Sequence, residues 1–434
     1  MKIGGISVEA IKYFLKAILQ ARAGNIDEAI NSIKKSIEIE PEYYEAKFFL
    51  ARLYSDMKRY EEAMKLLNEI LEKVPNFSRA WGVLGDIYDK LGDHDKATEY
   101  TQKAREISGK ADDFVRIGNE LEAKGKLEEA LEKYLEATKT DASFPSAWYN
   151  VAHIYERLNN LEKALEYFDR VVRLQPDDIF AWNKRIGVLK KLNKYDEALQ
   201  SYDIMLEIDP SKKLLWYWRA KTAEEAGKFD IALECSEKLL ELDPNDTFAL
   251  QYKAQLCEKL GKIEEALKTY EKILEIEPQN IDALIGLSKL YAEHLNKVEE
   301  ALKCIDKAIQ IDPDKGILWY HKGLLLLKLG DEDKSLECLE KAVKIDMMLP
   351  DALIKLAELY EKKGWISRAF ESFEMLTKIR ASDPHAWYLR AQFLMKHERL
   401  KDALKCVNRA LQLDPTFVKA KELKEEIEKK IKSK

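Results

Sequence analysis

Cysteine is scarce: five residues in 434, with no CxxC pair, so the chain carries no disulfide framework. Glycine (17) and proline (11) are also few, which excludes collagen-like and low-complexity classes. No apolar run reaches the ~20 residues a membrane-spanning helix needs. The start, MKIGGISVEAIKYFLKAILQARAG, is interrupted by Lys12 and Lys16 and has no small-residue cleavage site. These absences lead us to expect a cytoplasmic protein without membrane insertion. Excess charge of one sign is missing too: the net charge is −6, spread along the chain, which counts against nucleic acid as a partner. Catalytic signatures are absent. GK pairs at Gly109, Gly125, Gly227 and Gly261 complete no GxxxxGK[ST], and neither HExxH, GxSxG nor GxGxxG occurs. The six histidines are scattered, and His153 with Glu156 lacks a second histidine. No enzyme activity, metal or cofactor is expected.

What the chain has instead is self-similarity. An alanine recurs as Ala29, Ala63, Ala97, Ala130, Ala164, Ala198, Ala232, Ala266 and Ala301, then as Ser335, Ala369 and Ala403. The step is 34 residues apart from one of 33 and one of 35. This gives twelve repeats, starting near residues 10, 44, 78, 111, 145, 179, 213, 247, 281, 316, 350 and 384 and ending at 417. A lead segment (1–9) precedes them and a capping helix (418–434) closes the array. Each repeat has the punctuation of two helices. Gly24, Gly92, Gly125, Asn159, Asn193, Gly227, Gly261, Gly330 or Gly364 stands before the ladder alanine, where a left-handed residue closes a helix. A proline, such as Pro41, Pro75, Pro176 or Pro210, then stops the second helix. Where it is missing, Pro145, Pro350 or Pro384 opens the next one, and only the junction near Gly109 has neither. Within a repeat, Trp148, Ala152 and Tyr155 form one stripe that meets Ala164, Phe168 and Val171.

WGVLGDIYDKLGDHDKA from Trp81 and WYNVAHIYERLNNLEKALEYFDRVVRLQP from Trp148 carry Trp, Leu-Gly, Tyr, Ala, Phe, Ala and Pro at the spacings of the tetratricopeptide repeat family. The chain resembles that family over roughly residues 10–417. Thr101 departs from the pattern, as does an extra residue in AEHLNKVEEA. The resemblance implies an all-α, right-handed superhelical solenoid that acts as a non-catalytic scaffold or adaptor, holding an extended peptide or partner protein in its concave groove. It also implies which positions line that groove. The stripe beside the core stripe contributes Asn119, Tyr149, Asn150, His153, Asn183, Lys184, Tyr217, Trp218, Lys221, Gln251, Tyr252 and Gln255 as candidate partner-binding residues. Amides there can pair with a peptide backbone, and aromatics add contact area. The acidic-tail clamp of the chaperone adaptors would place Val115, Asn119, Asn150, Phe180 and Lys184 at its positions, so two basic groups are missing.

In KLLWYWRA (213–220), Trp216 is in register with Trp81, Trp148, Trp182, Trp319 and Trp387. Tyr217 lies on the groove stripe, and Trp218 is out of phase and stands as the first candidate hot spot. Two alternatives are carried. One is a helical-repeat RNA binder using Lys184, Lys190, Lys191 and Lys221. The other is a self-assembling protein joined through Ile11, Phe14, Leu15, Ile18, Phe48 and Phe49, unless residues 1–9 cover that apolar face. Cys235, Cys304, Cys338 and Cys406 hold equivalent places in second helices, and stacked helices about 10 Å apart keep them out of disulfide reach.

Overall fold

A computed structural model describes residues 2–432. Among these are 24 α-helices and one hairpin of two-residue strands, Lys2–Ile3 and Ile6–Ser7. The fold is an all-α repeat solenoid. First helices such as Pro145–Arg157 have 13 residues and second helices such as Leu161–Leu174 have 14. The turns between them close on left-handed residues: Gly24, Gly92, Gly125, Gly227, Gly261, Gly330 and Gly364, with Asn159 and Asn193. Lys58 and Glu398, with φ of 59°, take that place in repeats two and twelve. The ladder alanines are fully or almost fully buried, which lets paired helices approach closely.

The recurrent tryptophan has a second task besides filling the core. Its indole Nε1–H donates to a carbonyl six residues earlier: Trp81 to Pro75, Trp148 to Ala142, Trp182 to Pro176, Trp216 to Pro210, Trp319 to Pro313 and Trp387 to Ala381, at 2.8–3.1 Å. Six of the loops between repeats are thus tied to the helices they introduce, and Trp216 belongs to the scaffold.

One expected break is absent. Residues His94–Ala123 form a single helix of 30 residues that runs through the junction between 78–110 and 111–144. Gly109 sits inside it, and neither proline nor a left-handed glycine interrupts the hydrogen-bond ladder there.

The chain divides into two compact bodies, Met1–Pro244 and Asn245–Lys434. The N-terminal body curls back on itself. Its hairpin turns at Gly4 and Gly5, whose φ values of 51° and 86° suit glycine, and buries Ile3 and Ile6. Gly4 N donates to Asp169 Oδ2 at 3.0 Å, and Arg173 donates to Gly4 O. Tyr43 OH donates to Arg173 O at 2.9 Å, and Asn76 Nδ2 to Lys139 O at 2.8 Å. Arg170 stands 2.8 Å from the buried carboxylate of Glu45, while Lys12 pairs with Glu207 and Arg22 with Asp177. Helix Val8–Arg22 also packs against helix Tyr195–Ile208. Repeats one to three are therefore seated on the ends of repeats four to six.

This closure corrects the expectation of a self-association face. Ile11, Phe14, Leu15, Ile18 and Phe48 are buried and Phe49 is half-buried within the chain itself. Phe14 meets the rings of Tyr43 and Phe49 at 5.4 and 5.5 Å, and Phe48 meets Phe77 at 5.3 Å.

In the C-terminal body the capping helix Val418–Lys432 buries Ala420, Leu423 and Ile427. Val418, at the start of this helix, is 62% exposed, and Ala420 makes the first buried contact.

Candidate protein-binding groove

The second, fifth, ninth and twelfth residues of a first helix fall on one stripe at helical spacing. In the N-terminal body, repeats five to seven place Tyr149 and His153, then Phe180 and Asn183, then Leu214, Tyr217 and Lys221 on it. Phe180 is 59% exposed and Leu214 46%, although both are large and apolar. The Tyr149 ring bridges outward and inward: its centroid is 5.7 Å from Phe180 and 5.7 Å from the buried Phe168. It also stacks on His153 at 6.3 Å with planes 10° apart. Burial raises the Tyr149 phenol above its ordinary pKa, so it stays a neutral donor.

The polar members separate into free and engaged groups. Asn150 and Asn183 are half-buried, and their amides make no hydrogen bond among the described residues. Lys184 has no ion pair there and stands 6.0 Å from the Phe180 ring centroid. Asn119 is engaged: its Oδ1 accepts from Tyr134 OH at 2.7 Å, and that hydroxyl also lies 2.9 Å from Glu122. Glu122 in turn takes Arg157 at 2.6 Å and faces His153 Nδ1 at 3.4 Å. Asn119 and His153 thus belong to a network that braces repeats four and five.

Tyr217 is half-buried with Lys221 Nζ 6.0 Å from its ring, and Lys221 pairs with Glu224 at 2.9 Å. Trp218 is half-buried and packs along the margin of the core rather than standing clear of it. It occupies the sixth position of its repeat, as Asn150, Lys184 and Tyr252 do in theirs. At this margin an apolar ring is drawn in, while an amide or ammonium stays hydrated. That is why Tyr252, expected on the groove, is 5% exposed and part of the core. Tyr252 lies in the C-terminal body with Gln251, whose Oε1 is buried without a hydrogen-bond partner, and the exposed Gln255.

Phe180 and Phe248 were the residues missing from the expected set. Phe248 is 62% exposed. The signal was legible, since the second position is apolar in repeats six, seven and eight but aspartate (Asp112, Asp282, Asp351) in four, nine and eleven.

The lysines considered for phosphate contact are mostly neutralised. Lys190 meets Glu225 at 2.8 Å, Lys191 meets Glu156 at 2.5 Å, and Lys221 holds Glu224. A helix-to-helix tie uses further cations: Arg185, 2% exposed, binds Asp169 at 2.6 Å, and Arg219 binds Asp203 at 2.8 Å. No disulfide forms among the described residues, and all five cysteines are buried or half-buried, with Arg219 Nη1 2.9 Å from Cys235 Sγ. Among the described residues no three His, Cys, Asp or Glu side chains are grouped to hold a metal ion. No described helix is long and apolar enough to cross a membrane.

Paired helices stacked at a 34-residue period, with a tryptophan-tied loop between them, define a helical repeat protein. The chain belongs to the tetratricopeptide repeat family. Family models described as tetratricopeptide repeat match residues 20–87 and 259–322, 115–179, 384–417, and 78–110 with 317–346. A model described as anaphase-promoting complex, cyclosome, subunit 3 matches residues 191–273. Among curated relatives, protein O-mannosyl-transferase TMTC1 of Homo sapiens is 27% identical over 141 residues, covering 31% of this chain and 16% of that protein. Anaphase-promoting complex subunit 3 of Dictyostelium discoideum is 31% identical over 103 residues, covering 24% and 11%. The chain therefore spans only a small part of these relatives. Of solved structures, pilF of Pseudomonas aeruginosa is similar at 19% identity and a TM-score of 0.41, covering 50% of this chain and 98% of that one. YrrB is similar at 24% identity and a TM-score of 0.35, covering 45% and 100%. The functional class that the family defines is the protein–protein interaction scaffold.

Proposed function

We propose that the protein is a non-catalytic adaptor that holds an extended peptide segment of a partner protein along the first helices of repeats five to seven. The observation that carries this reading is the pairing of exposed apolar groups with unsatisfied amides on one stripe. Phe180 and Leu214 stay in water in the free protein, and Asn183 on the same stripe and Asn150 at its margin have no internal partner among the described residues. An extended chain advances about 3.4 Å per residue and helices stack about 10 Å apart, so roughly three peptide residues fall on each repeat. The amides of repeats five and six can each accept from a peptide N–H and donate to a peptide C=O, which holds the backbone without dictating its sequence. Tyr149, Phe180 and Leu214 supply contact area, and Tyr217 with Trp218 forms its margin. Five cysteines without a disulfide among the described residues fit a reducing compartment, in keeping with a cytoplasmic place of action.

The test is site-specific photo-cross-linking from position 183 in the native host, followed by affinity measurement on the captured partner. Tyr149→Ala with Phe180→Ala should weaken binding about 100-fold, the loss of two interface anchors, while helix content stays the same. Unchanged affinity in the double variant would place the partner elsewhere.

A further inference from the structure

Where repeats one to three meet the end of repeat five, the closure does not fill all the space. A cavity of about 470 Å³ remains, within the range of small-molecule sites. Phe14, Phe48 and Phe49 wall one side, and Leu174 and Pro176 wall the other. Arg52 and Arg79 line it as well. Neither makes a side-chain hydrogen bond or ion pair among the described residues.

Three of the nearby acids are already engaged. Asp177 is paired with Arg22, and Glu45 has Arg170 at 2.8 Å and Arg173 at 3.9 Å. Asp141 accepts from the hydroxyls of Ser78 and Ser143 and from the Ser143 amide. Asp56, the remaining acid of the lining, is exposed and forms no ion pair among the described residues. Burial pulls the Arg79 pKa below its ordinary value, with Asp141 and Glu45 opposing that fall and the charge of Arg52 adding to it. Arg79 is half-buried without an ion pair of its own among the described residues and next to a like charge, and an anion placed between it and Arg52 relieves that cost.

We propose that this cavity binds a small organic anion with an apolar body, an aryl or branched carboxylate, whose carboxylate sits between Arg52 and Arg79 and whose body lies against Phe14, Phe48 and Phe49. The ligand is a free small molecule, because the chain itself walls the cavity on both sides. Bare phosphate satisfies the cations but leaves the phenyl walls unfilled, and a neutral isostere does the reverse. The site is distinct from the stripe of repeats five to seven. Because its walls come from both sides of the closure, the anion also holds the two sides together.

Isothermal titration of the full chain with phenylacetate, 3-methylbutanoate, phenylacetamide and inorganic phosphate tests this. At least one of the two carboxylates should saturate a single site, and phenylacetamide and phosphate should each bind at least about tenfold more weakly than it does. Arg79→Gln and Arg52→Gln should each cost at least about tenfold in affinity for that carboxylate. Arg52 is exposed and makes no bond among the described residues, so Arg52→Gln remains informative if Arg79→Gln folds poorly by circular dichroism. The proposal is overturned by no saturable carboxylate binding up to about 10 mM, by equal binding of the amide or phosphate, or by full affinity in the folded glutamine variants.

Discussion

The fifth position of the first helix is aromatic at both ends of the N-terminal body, yet the two ends use it differently. In repeats one and two it holds Phe14 and Phe48, buried under the closure; in repeats five and seven it holds Tyr149 and Tyr217, half-buried on an open stripe. The hydroxyl makes the difference. A phenyl ring loses nothing on being covered, whereas a phenol keeps one polar end for water or a partner. The same contrast runs through the neighbouring positions, with Ile11, Ile18 and Leu15 on the covered side and Asn183, Lys184 and Lys221 on the open one. A repeat protein can thus cover one part of a helix stripe with its own chain and leave another open to solvent, and residue chemistry at equivalent positions tells which is which.

The closure should break most directly at Asp169, which accepts from Gly4 N and from the almost fully buried Arg185. Asp169→Ala leaves that guanidinium only Ser201 at 2.5 Å and Glu197 at 3.9 Å as polar partners among the described residues, and we expect a loss of about 3 kcal/mol. Amide hydrogen exchange read repeat by repeat should show it in residues 2–22 and 179–208, since arrays of this kind do not unfold as one unit. The comparison sharpens next at the fifth position. Phe48→Ala should cost about 3–4 kcal/mol through the cavity it leaves, and Tyr217→Ala less than about 1.5 kcal/mol, both measured by urea denaturation. Similar costs would mean that the two ends are equally packed. The smallest effect concerns Glu40. The Ser7 amide donates to its carboxylate at 2.9 Å and, with help from Lys2, holds its pKa below the usual 4.5. A lowered folded pKa contributes stability above about pH 4.5 that is lost as pH falls through the folded value. Protection of the Ser7 amide should fade on acidification in the wild type, and Glu40→Gln should remove that pH dependence.

Much of the fold was legible because repeat packing is local. The alanine ladder, the left-handed turn residues and the prolines each act within one 34-residue period, and the tryptophan register identified Trp216 as scaffold without any long-range information. The fused helix was half legible: the missing punctuation at Gly109 was visible, but a turn can also close without glycine, as at Lys58 with φ of 59°. The closure lay beyond reach for a physical reason. Contacts such as Gly4 with Asp169 and Lys12 with Glu207 depend on how small rotations accumulate over several repeats, which no single period encodes. The candidate groove sat between these cases. Helical spacing identified the stripe, while the burial of Tyr252 and the marginal packing of Trp218 depend on how each sixth-position side chain is drawn in by its neighbours.

The helix His94–Ala123 links the covered repeats to those that cover them, and its 30 residues make a rod about 45 Å long. Such a rod works as a phase gauge. One residue inserted near Gly109 would turn the repeats on its N-terminal side by about 100° relative to those on its C-terminal side, carrying the hairpin away from Asp169. Arrays of this family can grow or shrink by duplicating whole repeats, but this spine exempts its own stretch of the gene from that freedom. Gains and losses of repeats are expected only outside it, and the fold is thereby kept at a fixed pitch where it meets itself.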